Sequence, residues 1–132
     1  MIAFDPTSIL STPTDAIDTA QALLHFPSAG VVSGSIWASA ATVPLAAMLY
    51  AASARGNGKG ITWVLQAVDN VHEDTACAAA AGWRAAARYV GDQKLFRGAL
   101  QRALDMDPRQ RDSIVITMRA ALSPWQQVTD GE

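Results

Sequence analysis

Apolar residues recur every three or four positions along most of this chain, and short polar or Gly- and Pro-rich stretches interrupt them. That rhythm predicts about six helices. The best marked lies in 107–125, DPRQRDSIVITMRAALSPW. Asp107 is placed to cap its start, because its carboxylate can accept from the unpaired N–H groups of the first turn. Pro108 follows where a missing N–H costs nothing. Gln110 completes a capping-box pattern with Asp107. Ile114, Met118, Ala121, Leu122 and Trp125 share one face, and Pro124 stops the helix.

The same logic places the others. Thr12-Pro13 opens a helix with Asp15 in its first turn and Ile17, Ala20, Leu23 and Leu24 as its stripe, ended by Pro27 and Gly30. A long central helix is expected over 35–54, through Trp37, Ala40, Ala41, Leu45, Met48, Leu49 and Ala52, with Pro44 kinking or breaking it. RGNGKG at 55–60 is a turn. Residues 61–68 suggest two helical turns, although a strand fits too. One Ala-rich helix is expected over 71–90, ended by a left-handed Gly91. Asp92 to Leu104 is amphipathic through Leu95, Phe96, Ala99, Leu100 and Ala103, with Gly98 weakening it. Residues 1–10 suggest a strand stub, Ile2-Ala3-Phe4, followed by a turn, and 126–132 a frayed tail.

Composition sharpens this to an all-α fold, a single compact bundle of about six helices spanning 1–132 as one domain. The 26 alanines among 132 residues are the reason: Ala is the best helix former, a poor strand residue, and lets helices approach closely. The charge-free run from Phe26 to Ala54 contains a stretch nearly long enough to span a bilayer. It is rich in Ala, Ser and Thr, which drive insertion weakly, so a buried core helix is expected. The N-terminus lacks the basic start of a leader peptide. The single cysteine, Cys77, excludes an intrachain disulfide and fits a reducing compartment.

Net charge is −2, but its distribution is uneven. The first 83 residues hold two basic and six acidic groups, whereas eight basic and four acidic groups lie between Arg84 and Arg119. A basic side is therefore expected. Its candidate partner-binding residues are Arg84, Arg88, Arg97, Arg102, Arg109 and Arg119. A solvated face with local pairs such as Arg109–Asp112 is the plainer alternative. Arg111 falls near the apolar stripe of the last helix while Ile116 falls on its polar side. Either a neighbouring helix covers Ile116, which is the favoured explanation, or Ile116 belongs to a contact surface.

Candidate chemistry is sparse. GNGKG has a phosphate-loop flavour, but Lys59 is followed by Gly60, Ser53 stands where the first glycine belongs, and a helix precedes it where a strand is required. His72, Glu73, Asp74 and Cys77 do not converge as metal ligands, and with Asn70 are better explained by helix capping and small-residue packing. The carboxylate pairs Asp15/Asp18, Glu73/Asp74 and Asp105/Asp107 sit at helix ends. No catalytic residue, metal ligand or cofactor is expected.

Four segments in order carry a resemblance: Phe4-Asp5-Pro6-Thr7, Ile36-Trp37-Ala38, Trp63-Val64 and RDSIVITMRAALSPW at 111–125. Their order and spacing resemble the all-α domain of type IV coupling proteins, the TraG/TraD-like conjugation ATPases, over most of the chain. Ser8 replaces the glycine common in that family, and neither a phosphate loop nor a Walker B strand occurs. The resemblance implies an insertion domain of a larger oligomeric ATPase, with 1–10 as a strand remnant of the parent domain. It also implies a cytoplasmic position at the inner face of the cell membrane without membrane contact by this domain. Its implied task is recognition of a relaxase, an accessory protein or a secreted effector. Direct DNA binding is the alternative.

Overall fold

Six α-helices follow one turn of 3-10 helix in the computed structural model, which describes residues 6–24, 36–70, 82–91 and 93–122. They are α1 (Pro13–Leu24), α2 (Ile36–Ala52), α3 (Ile61–Asp69), α4 (Trp83–Tyr89), α5 (Lys94–Asp105) and α6 (Pro108–Ala121). No strand occurs among the described residues. The 3-10 turn, Pro6–Ile9, falls where the sequence places a turn after the strand stub. The strand expected at 2–4 lies outside the described residues.

The fold is organised by α2. Its sequence is apolar nearly all round, so no face of it belongs in water. Ala41 and every residue from 44 to 53 are buried. The other five helices all pack on it and surround it in the order α1, α6, α3, α4, α5, each touching the next. Ala41, Ala46, Ala47, Ala51 and Ala52 are buried on this helix, which keeps its surface thin enough for five neighbours to approach. Larger side chains fill the spaces between them: Trp83, Phe96, Leu24, Leu45, Met48, Leu49, Ile114 and Met118 are nearly or wholly inaccessible.

Pro44 does not break α2, which runs continuously through it. The donor it lacks would have served the carbonyl of Ala40. Ala40 itself is exposed. The exposure takes Ala40 out of the expected stripe. Leu95 departs in the same way: it opens α5 with 55% of its surface exposed, while Phe96, Ala99, Leu100 and Ala103 are buried.

The helix expected over 71–90 is not one element. Its described part begins at Trp83, after an extended Gly82 (φ 176°, ψ 179°). Glycine loses the most chain freedom in a helix, which favours a boundary there. The buried Trp83 indole then fixes the direction, donating from Nε1 to the Val68 carbonyl at 3.1 Å. Asn70 is the C-cap of α3, its N–H bonding the Ala67 carbonyl; the helix start expected just after it lies outside the described residues.

Local signals elsewhere hold. Gly91 adopts φ 60° after α4, as a left-handed terminator should. Asp107 accepts from the Arg109 N–H at 2.8 Å at the start of α6. At α1, Thr12 Oγ1 accepts from the Asp15 N–H, and the Asp15 carboxylate accepts from both the N–H and the hydroxyl of Ser11. Trp125 and the stop expected at Pro124 lie outside the described residues.

Candidate functional site

Most of the candidate cations lie on the α4–α5 hairpin. Gly91 reverses the chain after Val90, and the Gln93 N–H returns to the Val90 carbonyl. The two helices pack together and both bury one face on α2. Alternation then sends Arg84 and Arg88, one turn apart on α4, to solvent together with Lys94, Arg97 and Arg102 of α5. Residues 84–105 hold these five cations against two acids, Asp92 and Asp105. Asp105 accepts from Gln101 Nε2 at 3.1 Å. Arg97 reaches back to the Gly91 carbonyl at 3.4 Å, which ties it to the turn between the two helices.

The six candidate arginines do not all join this surface. Arg84, Arg88, Arg97 and Arg102 belong to the hairpin, and Arg109 is exposed in the first turn of α6. Arg119 is directed elsewhere: Nε and Nη2 both lie 2.7 Å from Asp69 Oδ1, which joins α6 to the end of α3. That pair is about half exposed, so it adds little stability, but it turns the guanidinium towards α3. The expected Arg109–Asp112 pair is not among the described ion pairs.

Arg111 is withdrawn from the surface altogether, at 7% exposure. Its Nη1 donates to the Leu104 carbonyl at 3.0 Å, one of the carbonyls that the end of α5 leaves without a helical partner. Its Nε is buried without a partner. Ile116, in contrast, is 61% exposed, so the neighbour expected to cover it does not do so.

Beside the hairpin lies a half-open cavity of about 180 Å³ that sequence reasoning did not find. Ala40, Val43 and Pro44 of α2, Ala99 and Ala103 of α5, Met106 and Ile114 form its apolar lining, and Arg102 supplies the charged part. The central α2 meets the consecutive helices α5 and α6 there, and the only local hint was a proline inside a helix.

The GNGKG turn has its own employment. The N–H groups of Gly56, Asn57, Gly58 and Gly60 bond the carbonyls of Ser53, Ala51, Ser53 and Ala52, closing the end of α2. The Lys59 N–H bonds Asn57 Oδ1. Donors that a phosphate would require are engaged by the protein itself. Among the described residues no three His, Cys, Asp or Glu side chains gather as a metal site, and no helix is long and apolar enough to cross a membrane. His72, Glu73, Asp74 and Cys77 lie outside the described residues. Hydrogen bonds from the Ser11 hydroxyl and N–H hold the Asp15 carboxyl below its ordinary value.

Comparison with protein-family models, curated proteins and solved structures returns no match to this chain.

Proposed function

We propose that this chain is a non-catalytic docking domain of the type IV coupling protein kind, which holds a relaxase, an accessory protein or a secreted effector by an acidic segment. The observation that carries the reading is the α4–α5 hairpin, with Arg84, Arg88, Lys94, Arg97 and Arg102 all exposed on two helices that pack together. Such an array attracts an acidic partner over a distance of about a Debye length, roughly 8–10 Å at moderate salt, and orients it before contact. The rigid helical body behind it supplies a fixed spacing. The ordered segments Trp63-Val64 and 111–122 belong to the interior of that body and to α6, consistent with a resemblance carried by the scaffold.

The test is affinity. A fluorescent relaxase segment titrated against the chain should bind at least tenfold more weakly when Arg84 and Arg88 are replaced by Glu. Unchanged affinity in a folded variant removes the hairpin as the docking face. Direct DNA binding is the second reading, favoured by the same cations. It requires a steep fall of affinity with salt, and no binding of duplex or single-stranded DNA at low salt eliminates it.

A further inference from the structure

We infer that the cavity beside Arg102 is an anchor site for an aliphatic side chain adjoining a carboxylate on a partner protein. The inference rests on the docking reading and specifies the partner's chemistry.

Three features define what the cavity accepts. Its volume of about 180 Å³ holds one branched aliphatic side chain, well short of the several hundred Å³ typical of a cofactor or drug-sized ligand. Its lining is apolar except for Arg102, and Val43, Met106 and Ile114 give it a hydrophobic floor. The guanidinium is set low over the helix: a Cβ on Gly98 would come within 3.2 Å of Arg102 Nη1. Glycine one turn earlier therefore leaves space for the arginine to lie back along α5.

A leucine entering the cavity brings the carboxylate of an adjoining acidic residue to Arg102. The guanidinium offers paired donors suited to a carboxylate. Charge complementarity selects an acidic neighbour over an amide one, and the site is continuous with the basic hairpin through Arg102.

The probe is N-acetyl-Leu-Glu-N-methylamide, followed by amide and methyl NMR shifts of the whole chain. Saturable shifts centred on Val43, Ala103, Met106 and Ile114 are expected. Affinity should fall at least fivefold for the Leu-Gln analogue, and equally for Arg102→Gln with the Leu-Glu probe. Ala40→Leu, which fills the cavity from its exposed rim, should abolish the shifts. If that variant does not fold, Arg102→Gln decides. Shifts that are absent up to the solubility of the probe, that centre elsewhere, or that are equal for Glu and Gln overturn the inference. Failure here together with weaker relaxase binding by the Arg84/Arg88 variant leaves the docking reading standing. Success here with unaltered relaxase binding retires that reading and keeps the cavity.

Discussion

Arg111 Nη1 meets the carbonyl of Leu104 at 3.0 Å, so the first turn of α6 closes the last turn of α5. A cation at a helix C-terminus also opposes the negative end of its dipole. Removing the side chain leaves a carbonyl unserved and opens space around it. Arg111→Ala should destabilise the chain by about 2 kcal/mol, in the range for hydrogen bonds to charged groups. Arg111→Met should cost less, because it keeps volume and removes the unpartnered Nε. Urea unfolding of the three proteins measures both. A difference for alanine within about 0.5 kcal/mol, the noise of neutral surface changes, contradicts the cap.

Gly56 and Gly58 should respond differently to alanine although they are two residues apart. A Cβ on Gly56 would stand 2.0 Å from the Ala51 carbonyl oxygen, which is backbone and cannot swing aside. That same oxygen accepts from Asn57. A Cβ on Gly58 meets nothing, and only its φ of +69° is unfavourable. Gly58→Ala should cost about 1 kcal/mol, the usual strain of a left-handed residue. Gly56→Ala should cost about 3 kcal/mol or more, as forced overpacking does. Thermal unfolding ranks them; equal losses refute the close approach.

Asp15 gives the start of α1 a dependence on acid. Its folded pKa is lowered from 3.8 by the Ser11 hydroxyl and N–H. A lowered carboxyl contributes stability that is present above the unfolded pKa and is lost as pH falls through the folded one. The wild type should therefore lose more thermal stability below about pH 4 than Asp15→Asn does, and an NMR titration of the Asp15 carboxyl should have its midpoint below 3.8. Parallel pH curves for the two proteins rule this out.

Trp83 joins α4 to the end of α3 through Nε1 and the Val68 carbonyl at 3.1 Å, with no accessible surface. Trp83→Phe removes the donor and part of the buried volume. A loss of about 2 kcal/mol is expected from one hydrogen bond plus a modest cavity. Denaturant midpoints test it, and a midpoint equal to the wild type's shows that the indole is not a strut.

The residues that the sequence placed well are those governed by near neighbours. Asp107-Pro108 starts α6, Gly91 ends α4, and Thr12-Pro13 starts α1 because capping and chain stereochemistry act within one turn. The departures come from longer range. Leu95 has the right spacing for its stripe, but the first turn of α5 packs through Phe96, whose ring meets that of Tyr50 at 5.4 Å, and Leu95 stays in water. Arg111 was visible as an anomaly, yet only the corner between α5 and α6 reveals which carbonyl it serves. Arg119 was grouped with the basic side, and Asp69, fifty residues earlier, draws it away. The cavity needed three helices at once, so no local pattern announced it.

The central position of α2 has a consequence for how the molecule comes apart. Each outer helix leans on the same buried rod, so stripping any one of them wets part of the surface on which the rest depend. Opening should be nearly all-or-none, with the amides of Leu45 to Tyr50 exchanging with deuterium only when the entire chain lets go.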